Sequence, residues 1–195
     1  MSETPRYTQP VVSFELPDWV ARCVGERGPC ASDEDRMRLA IALADANARD
    51  AGGGPFGAAV FERGAAWPLA VGVNRVVPLA NACAHAELIA LTAAQARLGS
   101  HTLRVPGAPA RELFTSCAPC AMCLGAALWS GVSRIVCAAS RDQAETIGFD
   151  EGPVFDASWA YLAARGVAAV HGLLAAEAGA VLEAYAARGG LVYNG

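Results

Sequence analysis

The chain contains no lysine, so all of its positive charge comes from 15 arginines. These arginines form no basic run, and the closest pair is Arg36 and Arg38. With 19 acidic residues the net charge is −4. Because affinity for nucleic acid comes mainly from Lys and Arg clustered against phosphates, we expect no nucleic-acid partner. A basic patch assembled from distant arginines would change that expectation.

Long apolar runs are also missing, although hydrophobic residues make up 54% of the chain. No uninterrupted run approaches the roughly 20 residues of a membrane helix, so we expect no membrane partner. Residues 1–18 lack the basic and then apolar pattern of a signal peptide. The seven cysteines are an odd number, which argues against a disulfide framework. These observations predict a cytoplasmic protein.

A length of 195 residues is typical of one domain with a full core. Residues 1–31 contain four prolines and several apolar residues, and we expect this extension to pack on the body. Ser32, followed by three acidic residues, predicts a helix start. The motifs described below lie in residues 32–195, which we expect to form the functional domain.

Strands and helices are expected to alternate along the body of the chain. Alternation of this kind predicts an α/β protein with a largely parallel sheet covered on both faces. The hydrophobic patterns predict strands at 56–61, 69–73, 112–116, 134–139 and 167–173, and helices at about 32–51, 84–98, 119–130 and 175–188, with a short helix after 139.

Two short strings carry the clearest chemistry: His85-Ala86-Glu87 and Pro119-Cys120-Ala121-Met122-Cys123. Cys120 and Cys123 are three residues apart, so on a helical turn they share a face and can bind one metal. With His85 they offer three zinc ligands and leave a fourth position open for water, which is typical of catalytic zinc. A carboxylate as close as Glu87 can transfer protons.

Other interpretations of these strings remain open. A lone C-x-x-C can be a redox pair or half of a zinc ribbon, but His101 and His171 provide no second metal-binding pair. A redox pair would give no role to His85 or Glu87. The combination H-x-E…P-C-x-x-C is the signature of zinc-dependent deaminases, and we adopt that interpretation.

On these residues the sequence resembles the cytidine deaminase superfamily and, more closely, the bacterial guanine deaminases. Two stretches, 72–78 and 147–153, resemble a subgroup that accepts both guanine and the triazine ammeline. The resemblance rests on Gly53-Gly54-Pro55-Phe56-Gly57, Asn74, Ala84-His85-Ala86-Glu87, Thr115-Ser116, Pro119-Cys120, Met122-Cys123 and Gly148-Phe149-Asp150-Glu151.

The resemblance implies a three-layer α/β/α sandwich around a five-stranded mixed sheet, and a homodimer. It also implies one Zn²⁺ per chain, bound by His85, Cys120 and Cys123. Glu87 would be the catalytic proton shuttle, and Glu151 a second catalytic residue that meets the exocyclic amine.

The remaining residues implied by the resemblance bind the substrate. Asn74 and the Ala86 backbone would hydrogen-bond a flat heterocycle, and Phe56 would lie near its ring. In some family members a C-terminal tail crosses to the partner subunit and closes its site, and Tyr193 is the candidate for that role here.

The predicted activity is hydrolysis of guanine to xanthine and ammonia, with ammeline as a further substrate, so the partner is a small purine or triazine base. A tRNA or DNA adenosine deaminase and a cytosine deaminase are alternative enzymes with the same zinc strings. A structural zinc-binding module is the non-enzymatic alternative, and it would need a fourth protein ligand.

Overall fold

The computed structural model describes residues 9–50 and 52–194, and these form seven helices and five strands. None of these helices has both the length and the hydropathy that a membrane span requires. In chain order the elements are α1 Asp18–Arg27, α2 Asp33–Arg49, β1 Gly57–Glu62, β2 Ala70–Val73, α3 Ala86–Leu98, β3 Arg111–Cys117, α4 Ala121–Ser130, β4 Arg134–Ala139, α5 Arg141–Thr146, α6 Asp156–Ala164, β5 Ala168–Val170 and α7 Ala175–Ala187.

The five strands form one mixed sheet in the order β2-β1-β3-β4-β5. β1 is antiparallel to both β2 and β3, whereas the β3–β4 and β4–β5 pairs are parallel. The prediction of a largely parallel sheet, made from the alternation of elements, was therefore wrong for β1, which runs opposite to the other four strands. β1 and β2 are joined without an intervening helix, a connection that suits antiparallel pairing. The mixed sheet implied by the family resemblance is confirmed.

Alternate residues of β1 point to two separate cores. Ala58 and Val60 lie in a core with side chains of α3, α4 and α6. Ala59 and Phe61 lie in a core with side chains of α1, α2 and α7 on the opposite face. Helices thus cover both faces of the sheet, which confirms the three-layer α/β/α sandwich.

Two helices were not predicted from the sequence. α1 lies within the 1–31 segment, where Val20 is buried and Trp19 is partly buried against the α1, α2 and α7 core. Val11 and Val12, earlier in the same segment, are exposed, and residues 1–8 lie outside the described part of the chain. Between β4 and β5 there are two helices, α5 and α6, where one was expected.

A close approach between β2 and α3 fixes the start of α3 relative to the sheet. A Cβ atom at Gly72 would overlap the Ala86 carbonyl oxygen and lie 2.7 Å from the Ala90 nitrogen. Only glycine therefore allows the two backbones to pack this closely. The first turn of α3, with the predicted metal ligand and carboxylate, is held against the end of the sheet.

Candidate active site

The three predicted metal ligands meet where two helices begin. His85 is the N-cap residue of α3, Cys120 is the N-cap residue of α4, and Cys123 lies in the first turn of α4. The His85 Nδ1 atom lies 3.6 Å from each of the two cysteine Sγ atoms. Within the described residues, this is the one group of three His, Cys, Asp or Glu side chains close enough to hold a metal.

These distances fit tetrahedral zinc. With Zn–S bonds of about 2.3 Å and a Zn–N bond of about 2.0–2.1 Å, a tetrahedral angle separates nitrogen and sulfur by about 3.6 Å. Helix N-termini also favour the thiolate form of cysteine, because backbone N–H groups and the helix dipole point toward it. The observed triangle therefore has the donor atoms and the spacing that zinc requires.

The pKa values of the three ligands depend on one another, because their side chains are in contact. The hydrogen bond from Cys123 lowers the pKa of Cys120 to about 4, and the same interaction, together with burial, raises the pKa of Cys123. Burial opposes protonation of His85, but its contact with Cys120 and the nearby Glu87 carboxylate raise the pKa of His85 overall. The group behaves as one coupled unit, as expected for side chains arranged to share a cation.

Glu87 is buried beside this triangle, and both of its carboxylate oxygens have partners. The Thr115 hydroxyl of β3 donates to Oε1 at 3.3 Å, and the Cys123 thiol donates to Oε2 at 3.4 Å. Burial, followed by the nearby Cys120, raises the pKa of Glu87 above its usual range. A fixed carboxyl group that readily holds a proton is suited to general acid–base catalysis.

A cavity of about 530 Å³ opens over the metal ligands. Five of the predicted substrate or catalytic residues line it: Phe56, Asn74, Glu87, Glu151 and Tyr193. Ala86 is fully buried and does not line this cavity, and its carbonyl faces Gly72 instead. Its backbone N–H, at the first residue of α3, is the group by which Ala86 could still meet a ligand. The volume is within the range of small-molecule sites.

Glu151 is 7% exposed and reaches the cavity from the loop between α5 and α6. Its backbone carbonyl accepts a hydrogen bond from the Ala121 N–H at 3.0 Å, which joins this loop to the start of α4. Burial raises the pKa of Glu151 to about 8, and the negative charges of Cys120 and Glu87 act in the same direction. A second buried carboxyl group thus lies in the same cavity as Glu87.

Three aromatic side chains, those of Phe56, Phe149 and Tyr193, line the cavity and contact one another. Phe149 makes edge-to-face contacts with Phe56 and Tyr193, at centroid distances of 4.9 and 5.2 Å. The Tyr193 hydroxyl is buried, and no protein group in the described chain hydrogen-bonds to it. Such a group usually meets a ligand or water.

The C-terminal tail reaches the cavity of its own chain. The Asn194 side chain accepts a hydrogen bond from the Asp150 N–H at 2.9 Å and donates one to the Gly148 carbonyl at 3.0 Å. The Tyr185 hydroxyl donates to the Leu191 carbonyl at 2.7 Å. These bonds join the tail to α7 and to the loop that contains Glu151.

Two polar residues near the site, Asn194 and the buried Asn47 of α2, were not predicted from the sequence. Asn47 could have been noticed in the sequence. It is a poor helix former on the apolar face of α2, close to the Gly52-Gly53-Gly54 turn. Nothing in the sequence distinguishes Asn194, since a polar residue near a chain end is common.

Known proteins with similar sequences are zinc-binding deaminases, in agreement with the geometry of this site. Residues 31–139 match the cytidine and deoxycytidylate deaminase zinc-binding region. A guanine deaminase from Bacillus subtilis (strain 168) is 35% identical over 122 residues, which are 63% of this chain and 74% of that protein.

Solved structures cover more of the chain. The guanine deaminase from Nitrosomonas europaea is 44% identical, with a TM-score of 0.86 over 93% of this chain and 100% of the other. An asparagine-to-glutamine variant of the protein NE0047, in complex with 8-azaguanine, is 44% identical, with a TM-score of 0.86 over 94% and 100% of the two chains. The chain therefore belongs to the guanine deaminase family of zinc-dependent cytidine deaminase-like aminohydrolases.

Proposed function

We propose that this protein hydrolyses guanine to xanthine and ammonia. The observation that supports this most strongly is the position of Glu151, a second buried carboxyl group in the cavity that contains Glu87 and the His-Cys-Cys triangle. The exocyclic amine and a ring N–H of guanine can both donate hydrogen bonds to such a carboxylate. Guanine deaminases among the relatives, and the bound 8-azaguanine in one of them, support a purine base.

The triangle and Glu87 provide the hydrolytic end of the site. When bound by His85, Cys120 and Cys123, zinc supplies Lewis-acid chemistry that makes water a nucleophile near neutral pH. Glu87 accepts one proton from the attacking water and passes it to a ring nitrogen of the base. The contact with Thr115 keeps the carboxylate oriented for this transfer.

The loop residues would orient the base. Asn74 accepts a hydrogen bond from the Val76 N–H through its side-chain oxygen at 3.3 Å, which leaves its amide nitrogen available to a ligand. Phe56 would contact the ring, and the Tyr193 hydroxyl would find its missing partner on the substrate. The Ala86 N–H would add a backbone contact at the metal end.

Glu151 would complete the reaction at the leaving group. It accepts hydrogen bonds from the exocyclic amine, and its raised pKa allows it to transfer a proton to the departing nitrogen. The carbon–nitrogen bond then breaks and ammonia leaves. As the ring carbonyl forms, the hydroxyl group added from water loses its proton to Glu151, which restores the carboxyl group for the next turnover. One water is consumed, and one xanthine and one ammonia are formed.

Ammonia release from a panel of compounds tests this proposal. We expect purified, zinc-loaded protein to release ammonia from guanine much faster than from cytosine, adenosine or a tRNA with an unpaired adenosine. Release from tRNA but not guanine would favour the adenosine deaminase alternative, and release from no compound would favour a non-catalytic zinc module. Ammeline belongs in the panel, because its acceptance stays a prediction.

We also propose that the chain forms a homodimer through the outer face of α4 and α6. Trp129 and Tyr161 are 75% and 47% exposed on these helices. A groove of about 430 Å³ between the helices is lined by small and apolar residues such as Gly125 and Leu128. Exposed apolar patches of this kind are typical of protein interfaces. Sedimentation should give twice the mass of the chain, and Trp129→Glu should give a monomer.

A cytoplasmic location is the final part of the proposal. All seven cysteines are free thiols in the described structure, and proteins of reducing compartments typically keep their cysteines in this state.

A further inference from the structure

Asn47 is a fully buried polar side chain outside the cavity. It lies on α2, and its Nδ2 atom donates two hydrogen bonds, to the Gly54 carbonyl at 2.7 Å and to the Asn74 carbonyl at 2.8 Å. Both amide hydrogens are therefore used. Burying an amide is costly unless its hydrogen bonds are made, so this arrangement is a specific one.

The two carbonyls belong to the segments that form the loop side of the cavity. The Gly54 carbonyl also accepts a hydrogen bond from the Phe56 N–H at 2.8 Å. The Asn74 N–H donates to the Phe56 carbonyl at 3.1 Å. Asn47 thus closes a network in which the backbones of Phe56 and Asn74, two cavity-lining residues, are held relative to each other and to α2.

Arg75 fixes which way the Asn47 amide points. Its Nη1 atom donates to the Asn47 side-chain oxygen at 3.4 Å and to Asp50 at 2.6 Å. The amide oxygen faces the guanidinium, and the amide nitrogen faces the two carbonyls. The reversed amide would place oxygen against two carbonyl oxygens and nitrogen against a cation.

Two glycines allow the chain to pack closely between Asn47 and the cavity. A Cβ atom at Gly53 would overlap the Asn47 carbonyl oxygen and lie 2.8 Å from its side chain. A Cβ atom at Gly54 would overlap the Tyr193 hydroxyl and lie 3.1 Å from the Asn74 side-chain oxygen. A continuous line of contacts therefore runs from α2, through Asn47 and the glycine pair, to the cavity.

We propose that Asn47 is a positioning residue that sets substrate affinity through the backbones of Asn74 and Phe56. This inference rests on the proposed function, because Asn74 and Phe56 are proposed substrate contacts. Within the described part of the chain, the Asn47 side chain makes no hydrogen bond to the metal ligands or to Glu87, so we expect its effect to be confined to the loop side of the cavity.

The Asn47→Ala variant should raise KM for guanine about tenfold, with kcat within about threefold of wild type and zinc content unchanged. The magnitude follows from losing two hydrogen bonds whose carbonyl partners become unsatisfied. An unchanged KM, or a fall in kcat at constant KM, would overturn the proposal.

The Asn47→Asp variant separates hydrogen bonding from packing. Aspartate has the same shape but presents oxygen to the two carbonyls, so we expect a rise in KM at least as large as for alanine. A packing role would make aspartate the milder change, and that result would overturn the proposal. Thermal melting and zinc content of each variant establish that the protein measured is folded.

Ser130→Ala is the matched control. Ser130 is also buried and makes two side-chain hydrogen bonds, with the Ala127 carbonyl and the Val132 N–H, but it lies at the far end of α4 from Cys120. We expect a comparable loss of thermal stability with wild-type KM. A KM change as large as that of Asn47→Ala would mean that general destabilisation accounts for the effect.

Amide hydrogen exchange without substrate makes the outcome independent of the proposed activity. Peptides covering 53–58 and 72–78 should exchange faster in Asn47→Ala than in wild type, while those covering α4 should not. If the wild type does not release ammonia from guanine, the proposed function fails, and the exchange result still decides the positioning role. Unchanged exchange in both peptides would overturn it.

Discussion

The metal end of the cavity is built from the first turns of two helices, whereas the substrate end is built from loops. His85 and Cys120 are N-cap residues, and their geometry follows from α3 and α4 packing on the sheet. The substrate end brings together the segments 53–56, 74–82, 149–152 and 193–194, which side-chain hydrogen bonds hold in place. Changes at the metal end should therefore reduce kcat, and most changes at the loop end should raise KM.

The largest effect is expected from removing a zinc ligand. Cys123→Ala leaves only His85 and Cys120, so zinc content should fall from about one per chain to near zero and ammonia release should be lost with it. Elemental analysis and the ammonia assay measure the two losses. Cys137→Ala is the control, because Cys137 is a buried β4 cysteine that does not line the cavity. An active protein without metal would contradict the assignment.

Glu87→Gln should have the next largest effect. Glutamine keeps the shape and can still accept from Thr115, but it cannot take a proton from water. General acid–base groups typically contribute about 10²- to 10⁴-fold, so we expect kcat to fall by that factor with zinc still bound. Single-turnover kinetics on zinc-loaded protein measure it. Retention of more than about a tenth of the wild-type rate would remove Glu87 from the mechanism.

Glu151 is a loop residue with a proposed chemical role. Its variants therefore test whether changes at the loop end affect KM alone. If it passes a proton to the departing nitrogen, Glu151→Gln should lower kcat more than it raises KM. A role in positioning alone would raise KM and leave kcat nearly intact. Steady-state kinetics with guanine separate the two roles, and wild-type values of both parameters would leave Glu151 without a role.

The same contrast explains what the sequence could predict. The ligand set depends on local spacing, since Cys120 and Cys123 share one helical turn and His85 precedes the start of α3. Two short motifs were enough to predict that these three residues bind one metal, and the structure brings the three together. The strand segments were also predictable from apolar patterns, although pattern alone did not give the direction of β1.

Long-range contacts explain what was missed. The hydrogen bond of Asn47 joins residues 27 positions apart, and that of Asn194 to Gly148 joins residues 46 apart. No local pattern encodes such a pair, because the partner is a backbone carbonyl, which every residue has. α1 was missed for a related reason: only a few apolar residues, such as Val20, pack it on the body.

The smallest effect is expected from the tail. Asn194→Ala removes two exposed hydrogen bonds between the tail and the loop that contains Glu151. Each such bond contributes about 0.5–1.5 kcal/mol, and the edge-to-face contact of Phe149 with Tyr193 still holds the tail in place. We therefore expect KM for guanine to rise about threefold, with kcat unchanged, in steady-state assays.

Gln95→Ala provides the control for this small change, because the Gln95 side chain makes one exposed hydrogen bond, to the His101 carbonyl, and does not line the cavity. It should leave KM at the wild-type value. If Asn194→Ala does the same, the aromatic contacts alone position Tyr193. If Asn194→Ala instead lowers kcat as strongly as Glu151→Gln, the tail acts by placing the Glu151 carboxylate. In that case this loop affects kcat as well as KM, and the division between a metal end that sets kcat and a loop end that sets KM does not hold there.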